Sequence, residues 1–399
     1  MEYFEDLLKR QSIFKNESKL DINFVPNKLP HRDKELSLLS QLFLGLITNP
    51  NSISRKILIT GKTGIGKTVT VKLFGELLEH ASEKRNINIK YVHINCRKER
   101  TSYKVLMNII QLLNKQFPKR GYSLQDLLDI LIDLLNNQNL HILIVLDELS
   151  YLINKREDLI YLLTRINDDS INGDQRISII GIVRDLSCLN NLDNSTLSTL
   201  QRNIIQFNKY SRDQIFDILK YRTDISLKKN VLSDKIIEMI SDITFDSGDI
   251  RYGLNILWRA CKIAESKSLK YISIECIRLA NQDLLPFSAL DILEYMTSQK
   301  LIFLLAIIKA LFKSDTSKIS FTKALRNYYI ICENIRLNPR SHSQIWNYLQ
   351  EFKRESIVKL QIMSKGIIGR RTIIEIPDLS LSNLEKKIIE TLNSKGVRI

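Results

Sequence analysis

The segment Gly61–Thr68 restricts the fold of this chain most, because it matches the pattern G-x-x-x-x-G-K-[S/T] directly after the apolar run Ile57–Thr60. Glycines in such a loop let backbone N–H groups wrap around a phosphate, and a helix that begins near Gly66 points its positive end at the same anion. Lys67 can reach the β- and γ-phosphates of a nucleotide, and the Thr68 hydroxyl can bind Mg²⁺. The pattern predicts a phosphate-binding loop (P-loop) for ATP, made of Gly61, Lys62, Thr63, Gly64, Ile65, Gly66, Lys67 and Thr68.

An acidic pair, Asp147-Glu148, follows the fully apolar run Ile142–Leu146. A carboxylate at a strand end beside a P-loop is placed to hold the Mg²⁺ shell, often through water, so Thr68 and Asp147 are the candidate metal ligands. The next carboxylate, Glu148, is placed to polarise an attacking water. Adjacent acids also favour the first turn of a helix, so a solvated helix start is the alternative interpretation.

Short apolar runs alternate with helical patterns between about residues 55 and 185. Apolar strands that alternate with helices indicate an α/β fold with a parallel sheet covered on both faces. A strand before the P-loop and an amphipathic helix after it make a chance glycine-rich turn the weaker interpretation. The predicted strands are Lys56–Thr60, Ile89–Asn95, His141–Leu146 and Ile177–Val183, and the predicted helices include Val69–Ala81 and Tyr103–Gln116.

Only helical periodicity remains between about residues 210 and 285, which predicts a small all-α domain. Its helices are predicted at Arg212–Arg222, Ser233–Ile243 and Asp249–Ser266. Further helices are predicted at about 299–313, 321–334 and 341–355, followed by strands Ile357–Met363 and Thr372–Ile376. Three helices and then a basic hairpin form the winged-helix pattern. We therefore predict an α/β domain with an N-terminal arm over 1–208, an all-α domain over 209–290 and a winged helix over 291–399.

Two arginines lie where they could reach a nucleotide. Arg251 begins a helix of the all-α domain, and from there it can reach a γ-phosphate or form a surface salt bridge. Arg184 follows the fourth predicted strand, and it can face the nucleotide or pair with Asp147 or Asp185. The candidate catalytic residues are thus Lys67, Glu148, Arg184 and Arg251.

The charge of the chain favours an anionic partner. The net charge is +15 and the isoelectric point is about 9.4. Residues 291–399 hold 18 Lys+Arg against 10 Asp+Glu, a net +8, so the charge is uneven. A basic balance of this size is typical of nucleic-acid-binding proteins. A generally solvated lysine surface is the alternative.

The predicted helix from about Ser341 is the candidate DNA-recognition helix. Ile345, Leu349 and Phe352 share a helical spacing and give it a buried face. Short polar side chains near its start can bond phosphates and base edges in the major groove. The candidate contacts are Arg340, Ser341, His342, Ser343, Gln344 and Asn347.

The turn of the predicted basic hairpin is the second candidate DNA contact. Glycine lets the backbone approach a groove closely, and arginine suits a narrow minor groove. A flexible basic turn that contacts nothing is the alternative. The candidate residues are Lys365, Gly366, Gly369, Arg370 and Arg371.

Neither the cysteines nor the N-terminus predicts secretion. The 5 cysteines are scattered without C-x-x-C spacing, which indicates neither a disulfide framework nor a zinc site. The first ten residues include acidic side chains and no apolar run typical of a signal peptide. No apolar run approaches the roughly 18 residues that a membrane span needs. We therefore expect a cytoplasmic, nucleoid-associated protein without a membrane partner.

The P-loop, the acidic pair, the helical domain with Gly248–Arg251 and the terminal winged helix together resemble an AAA+ ATPase. More narrowly, the chain is similar to the archaeal origin-recognition/cell-division-control family of replication initiators. The narrower resemblance covers about residues 12–376 and lies in Phe24–Arg32, Ile94–Arg97, Tyr210 with Arg222, Gly248–Arg251 and Ser364–Arg371.

The resemblance implies an AAA+ module and a winged helix that bind double-stranded origin DNA, hold ATP or ADP tightly and help to load the replicative helicase. It implies that Phe24–Arg32 cups the adenine and that a lid contacts the nucleotide. The implied nucleotide-binding residues beyond the P-loop and Asp147 are Val25, Leu29, Pro30, His31, Arg32, Tyr210, Arg222 and Arg251. It also implies a DNA-contacting insert within about 100–125, where Lys115, Lys119 and Arg120 lie, with an ordinary solvated loop as the alternative.

The chain departs from the family pattern at two positions. Arg184 stands where the family usually has an asparagine that positions the attacking water. The trans-acting arginine expected before Phe207 falls by spacing on Ser195, with Arg202 as the candidate substitute. An arginine finger contributes about 10³–10⁵ in rate, so its loss leaves binding intact and turnover slow. We therefore expect weak hydrolysis, nucleotide acting as a conformational switch, and reliance on paralogous subunits.

Two other functions compete with that of a replication initiator. One is a winged-helix transcription regulator with a nucleotide switch. The other is an AAA+ ATPase whose winged helix binds protein. The net charge of +8 over residues 291–399 favours the two DNA-binding functions.

Overall fold

The computed structural model describes residues 12–118, 120–153, 159–165, 175–192, 194–200, 203–282, 293–312, 314, 318–355, 357–363, 371–376 and 381–397. The chain forms two compact units, Met1–Ile274 and Glu275–Ile399. The boundary falls within the helix Ile274–Gln282. The predicted domain limits at 208 and 290 stay predictions.

The first unit contains a five-stranded parallel sheet. Its strands are β1 (Lys56–Thr60), β2 (Ile89–Asn95), β3 (His141–Asp147), β4 (Ile177–Val183) and β5 (Ile204–Gln206), in the order β2-β3-β4-β1-β5. Three of the four predicted strands have the predicted bounds, and β3 extends one residue further. Because all strands are parallel, the ends of β1, β3 and β4 meet at one edge, where the P-loop and the acidic pair follow.

Alternate residues of β3 enter two different cores. Ile142 and Ile144 pack with the helices Ser102–Leu113 and Leu124–Asn137. Leu143 and Val145 pack on the other face, with helices Asp33–Thr48 and Lys67–Glu83. Every residue of β3 is buried, as expected for a strand covered on both faces. The predicted α/β fold is therefore confirmed.

Three helices of the lid follow β5: Arg212–Ser226, Asp234–Ser247 and Ile250–Ser266. Its first helix begins with a capping box in which Ser211 and Gln214 bond each other's backbone N–H. Shorter elements of the first unit are the α-helices Ser150–Ile153, Leu159–Arg165 and Asn194–Leu200 and the 3₁₀ helices Glu17–Leu20 and Leu186–Asn191.

The N-terminal segment 12–21 is fastened to the lid. Phe14 forms an isolated antiparallel bridge with Leu227, and the backbone N–H of Lys15 donates to the Ser226 carbonyl at 2.8 Å. The carboxylate of Glu17 accepts hydrogen bonds from Trp258 Nε1 at 2.8 Å and from Lys262 Nζ at 2.7 Å. The described part of the predicted N-terminal arm therefore packs against two lid helices.

The second unit is a winged helix, as predicted. Its helices are Ser298–Phe312, Phe321–Asn334, His342–Arg354 and Leu381–Ser394, and its strands are β6 (Lys318–Ser320), β7 (Lys359–Met363) and β8 (Arg371–Glu375). The strands form an antiparallel sheet in the order β6-β8-β7. The helix Ser298–Phe312 is buried along nearly its whole length and forms the centre of this core. In neither unit is any described helix long and apolar enough to cross a membrane.

We expect the fold to lose stability in acid because of His141 at the start of β3. Its side chain is 1% exposed, its Nε2 lies 3.0 Å from Ser178 Oγ, and burial lowers its pKa to about 4. The unfolded chain takes up the proton at the ordinary pKa of about 6.5. The contribution of neutral His141 to the free energy of unfolding is therefore fully present above about pH 6.5. About 3 kcal/mol of that free energy is lost as the pH falls from about 6.5 to about 4.

The measurement is urea unfolding of the wild type and of His141→Gln across this pH range. Most of the acid loss should disappear in the variant. His80→Gln, which removes an exposed imidazole, is the matched control. Equal acid sensitivity in the wild type and in His141→Gln would contradict a neutral buried imidazole.

Candidate nucleotide-binding site and DNA-binding surface

The P-loop leaves β1 in a conformation that requires its glycines. Gly61, Gly64 and Gly66 have φ of 146°, 75° and 88°. A Cβ at Gly61 would lie 2.7 Å from the Phe207 carbonyl oxygen, so a side chain is sterically excluded there. Gly66 is the N-cap of the helix Lys67–Glu83, so the positive end of that helix dipole faces the loop.

The side chain of Lys67 folds back along the loop. Its Nζ donates to the carbonyl oxygens of Gly61 at 2.5 Å and Lys62 at 2.7 Å. Burial lowers the pKa of Lys67 to about 8, and the nearby charges of Glu148 and Asp147 oppose that shift. The ammonium group is thus held among P-loop carbonyls, close to both acids.

Asp147 contacts four polar groups through its side chain and its backbone carbonyl. Its Oδ2 accepts from Thr68 Oγ1 at 2.8 Å and lies 3.2 Å from His93 Nε2, and its Oδ1 accepts from the backbone N–H of Glu148 at 2.9 Å. His93 Nδ1 lies in turn 2.9 Å from the Tyr91 hydroxyl, and Asp147 O accepts from Cys96 N. Burial opposes ionisation of Asp147, but the hydrogen bonds and charge of its partners outweigh it and lower its pKa.

The residues at this edge fit a magnesium ion. Mg²⁺ prefers hard oxygen ligands and usually binds through one or two protein groups together with phosphates and water. The Thr68 hydroxyl and the Asp147 carboxylate offer such oxygens 2.8 Å apart, at the start of the helix that carries the P-loop lysine. Within the described ranges, no cluster of three or more His, Cys, Asp or Glu side chains could hold a metal on its own.

Arg184 pairs with Glu148, which is neither of the acids considered from the sequence. Its Nε and Nη2 lie 3.1 and 3.2 Å from the two carboxylate oxygens of Glu148. The ion pair of Arg184 is therefore with Glu148, whereas the sequence analysis had considered Asp147 and Asp185. Glu148 itself has a left-handed φ of 54°, a conformation that costs energy outside glycine. Arg184 also lines a cleft of about 420 Å³ beside the P-loop, together with Lys62 and Lys209.

The lid contacts the P-loop through the start of its third helix. The backbone N–H of Ile250 donates to the Gly64 carbonyl at 3.1 Å. The Asp249 side chain caps the helix and binds the guanidinium of Arg251, with Nη2 to Oδ2 at 2.7 Å. Arg251 therefore forms a salt bridge with a buried aspartate beside the P-loop, and its contact with a γ-phosphate stays a prediction.

Arg32 joins the N-terminal arm to the P-loop and the lid. Its Nη2 donates to the carbonyl oxygens of Ile65 at 2.7 Å and Asn208 at 3.0 Å, and its Nε donates to the Tyr210 hydroxyl at 2.9 Å. Its Nη1 binds Glu35 at 2.6 Å, and the guanidinium carbon lies 4.0 Å from the centre of the Tyr210 ring. Arg32 and Tyr210, which are both predicted to contact the nucleotide, are therefore also hydrogen-bonded to each other.

The remaining predicted adenine contacts lie in the same arm. Val25, Leu29 and Pro30 are half-buried, and His31, at φ of 63°, places its Nε2 2.7 Å from Asp217 Oδ2 of the first lid helix. Arg222 lies further along that helix and donates to the Asp21 carbonyl at 2.7 Å, with its guanidinium over the Phe24 ring. The structure thus brings Arg222 to the segment that precedes Val25.

The predicted DNA-recognition helix spans His342–Arg354 and presents its predicted contacts to solvent. The buried face consists of Ile345, Leu349 and Phe352, as the spacing predicted. The Ser341 hydroxyl caps the helix by accepting from the Gln344 N–H at 3.4 Å. The exposed candidates are Arg340, Ser341, His342, Ser343, Gln344 and Asn347.

The other predicted DNA contacts are described only in part. Lys115 and Arg120 are exposed in the loop between the helices Ser102–Leu113 and Leu124–Asn137. Arg371 begins β8 opposite Met363 of β7. Ser195 belongs to the helix Asn194–Leu200. Outside the described residues lie Lys119, Arg202, Lys365, Gly366, Gly369 and Arg370.

His93 is the residue of this site that the sequence analysis missed. It lies in β2, and its imidazole touches Asp147, the last residue of β3, because the two strands are adjacent and in register, with His93 opposite Val145. Polar Tyr91, His93 and Asn95 lie at every second position of β2, and this alternation was the available signal. Polar side chains at every second position indicate a strand face that meets polar partners.

The fold and the site define an AAA+ protein with a P-loop, a lid and a winged helix. Family models match in the same order: an AAA domain at residues 54–184, a Cdc6 AAA+ ATPase-type lid domain at 216–282 and a CDC6 C-terminal winged helix domain at 291–382. The chain is 34% identical to the ORC1-type DNA replication protein 2 of Sulfolobus acidocaldarius over 97% of this chain and 95% of that protein. The chain therefore belongs to the archaeal family of ORC1-type DNA replication proteins.

Solved structures share the fold along nearly the whole chain. The Aeropyrum pernix ORC1 protein in complex with DNA superposes with a TM-score of 0.81 at 24% identity, covering 95% of this chain and 97% of that one. The ADPNP-ADP complexes of the Aeropyrum pernix ORC2 protein give a TM-score of 0.65 at 22% identity, covering 96% of this chain and all (100%) of that one. At these identities the likeness establishes the fold.

We expect Gly64→Ala to separate the lid from the P-loop. A Cβ at Gly64 would lie 2.1 Å from Asp249 Cγ and 2.7 Å from Asp249 Cα, so the start of the third lid helix must shift. ATP affinity should fall at least about tenfold, which corresponds to about 1.4 kcal/mol. Nucleotide titration measures the affinity, and faster amide exchange at Ile250 reports the lost bond to the Gly64 carbonyl.

Gly396→Ala is the matched control. Gly396 has a similar φ of 78°, but a Cβ there would meet nothing within 4 Å. The two substitutions therefore share the conformational cost and differ in the clash. Normal ATP affinity in Gly64→Ala would show that the contact of lid and P-loop does not matter for binding.

Proposed function

We propose that this protein is an ATP-dependent DNA-replication initiator. In this proposal it binds double-stranded origin DNA through its winged helix and its insert, uses slow hydrolysis as a switch, and assists loading of the replicative helicase. The observation that carries the proposal is the contact of the lid with the P-loop, where the Ile250 N–H bonds the Gly64 carbonyl. Because the lid is hydrogen-bonded to the P-loop, we expect the position of the lid to change with the nucleotide that the P-loop binds.

Nucleotide binding follows from the residues around the loop. The backbone of Gly61–Thr68 and the Lys67 ammonium would bind the phosphates, and the arm residues Val25–Arg32 would hold the adenine against the lid. Arg251 follows Ile250, whose N–H bonds the Gly64 carbonyl. Its guanidinium can leave the Asp249 carboxylate and bind a γ-phosphate instead, because the carboxylate and the phosphate are both anions. The ADPNP-ADP complexes of the Aeropyrum pernix ORC2 protein support a nucleotide in this fold.

Magnesium would be held by Thr68 and Asp147, directly or through water. When bound, the ion supplies positive charge that offsets the charge of the phosphate oxygens. The His93 imidazole keeps the Asp147 carboxylate oriented toward Thr68, since its Nε2 lies 3.2 Å from the same oxygen that accepts the Thr68 hydroxyl. Orientation of a ligand by such a hydrogen bond typically affects metal affinity.

Slow hydrolysis follows from the pair of Arg184 and Glu148. A general base must bond the attacking water, but the guanidinium of Arg184 already spans both oxygens of the Glu148 carboxylate. Ser195, at the place expected for a trans-acting arginine, offers no positive charge. The nucleotide state would then change slowly and act as a switch.

DNA binding follows from the exposed polar start of the recognition helix and from the charge of its unit. The helix dipole and the exposed Arg340 favour phosphate there. The Aeropyrum pernix ORC1 protein, which has the same fold, is seen in complex with DNA. Other initiator subunits related to this chain and the replicative helicase are the proposed protein partners.

We expect Arg184→Asn to raise the rate of ATP hydrolysis about tenfold, because the freed Glu148 carboxylate can bond water. Steady-state phosphate release measures the rate, and ATP titration checks that affinity is retained. Glu148→Gln combined with Arg184→Asn should abolish the gain. A wild-type protein that turns over ATP many times per minute without partners would contradict the switch, and loss of hydrolysis in Arg184→Asn would show that Arg184 is needed for the reaction.

Footprinting on chromosomal DNA with ATP and with ADP tests the function as a whole. We expect protection at the replication origin, with affinities that differ between the two nucleotides. Protection at promoters alone would support the transcription regulator instead. A stoichiometric complex with helicase subunits would support the proposed role in loading, whereas failure to bind any DNA would overturn the proposal.

A further inference from the structure

A closed ring of hydrogen bonds fixes the turn that precedes the recognition helix. The Tyr328 hydroxyl donates to the Gln299 side-chain oxygen and accepts from the backbone N–H of Arg340 at 3.0 Å. The Gln299 amide nitrogen donates in turn to the Asn338 carbonyl at 3.0 Å. Two side chains from two different helices thus bind the backbone of the turn 338–340 on both sides of Pro339.

The ring is built into the core of the winged helix. Tyr328 is 0% exposed, and its ring packs edge-on against Phe303 with centroids 5.8 Å apart. A tyrosine buried to this extent normally needs a partner for its hydroxyl, and here the hydroxyl has both an acceptor and a donor. The position of the Arg340 backbone is therefore set by the core, although the Arg340 side chain is exposed.

Lys300, the residue after Gln299, forms an ion pair near the C-terminal end of the recognition helix. Lys300 Nζ lies 2.6 Å from both carboxylate oxygens of Glu351 and 5.5 Å from the centre of the Tyr348 ring. Adjacent residues at the start of the helix Ser298–Phe312 therefore fix the approach to the recognition helix and its last turns. Such an arrangement sets both the axial position and the tilt of that helix.

We propose that Tyr328 and Gln299 are positioning residues for DNA binding, which hold Arg340 where its guanidinium meets a backbone phosphate. The inference rests on the proposed function, because it assumes that the winged helix binds duplex DNA. A side chain binds a phosphate more tightly when its backbone is already ordered. If the turn 338–340 were mobile, ordering it on binding would cost conformational entropy and lower the affinity for DNA. Neither Tyr328 nor Gln299 needs to touch the DNA.

The test is a double-mutant cycle of Tyr328→Phe and Arg340→Ala in the full chain, read as affinity for a random-sequence duplex over a range of salt concentrations. Arg340→Ala should weaken binding about fivefold and reduce the salt slope by about one unit, as expected for one lost phosphate contact. Tyr328→Phe, which keeps the ring and removes the hydroxyl, should weaken binding about threefold with a smaller slope. The double variant should bind no more weakly than Arg340→Ala alone.

Two further variants keep the test sharp. Tyr329→Phe removes the neighbouring hydroxyl on the exposed side of the same helix, where Tyr329 is 40% exposed, and should leave affinity unchanged. Gln299→Met removes the other half of the ring and should reproduce Tyr328→Phe, including the lack of additivity with Arg340→Ala. It also replaces Tyr328→Phe in the cycle if that variant does not fold.

The outcomes separate the two levels of the argument. If Arg340→Ala weakens binding but Tyr328→Phe and Gln299→Met do not, the positioning role is wrong and DNA binding stands. Multiplied losses in the double variants would also overturn positioning, since a purely structural effect would add to that of Arg340. If the wild type does not bind the duplex, both the proposed function and this inference fail.

Discussion

The buried guanidinium of Arg32 is the interaction on which the arrangement of the nucleotide site depends. The Arg32 side chain is 4% exposed. It donates hydrogen bonds to Ile65 of the P-loop, to Asn208 after β5 and to the Tyr210 hydroxyl just before the first lid helix. A buried charge is tolerated only when it is paired and fully hydrogen-bonded, and Glu35 supplies the opposite charge at 2.6 Å. Moving any one of these segments would remove one of the hydrogen bonds that satisfy this buried cation. The arm, the loop and the lid therefore hold one relative position around the space that the adenine is proposed to fill.

The edge of the parallel sheet explains why so much of this site could be predicted from sequence. In such a sheet the strand ends meet, so residues that follow β1 and β3 come together although they are about eighty positions apart. Thr68 and Asp147 do meet, at 2.8 Å. The spacing of Ile345, Leu349 and Phe352 likewise predicted the buried face of the recognition helix, because periodicity depends only on local geometry.

Other parts of the fold carried weaker local signals. β5 has only three residues, and the helix Leu381–Ser394 follows the hairpin where the winged-helix pattern already seemed complete. The helix Leu124–Asn137 begins with a capping box of Ser123 and Asp126, which was the sequence signal for it. The partner of Arg184 was missed for a different reason. A long side chain at a strand end can reach several acids, and the residue types alone do not indicate which of them it pairs with.

In both units a buried polar side chain fixes a backbone segment next to a predicted binding site. Around Arg32 and around Tyr328, a buried polar group bonds backbone carbonyls or N–H groups of a segment that also has an exposed face. An unsatisfied buried group is costly, so each ring converts a flexible segment into one with a defined position. The residues of each ring are far apart in the chain, such as Gln299, Tyr328 and Arg340, and none has an unusual sequence context. The buried face of a helix could therefore be predicted from spacing, whereas the hydrogen bonds of Tyr328 with Gln299 and Arg340 required the packed structure.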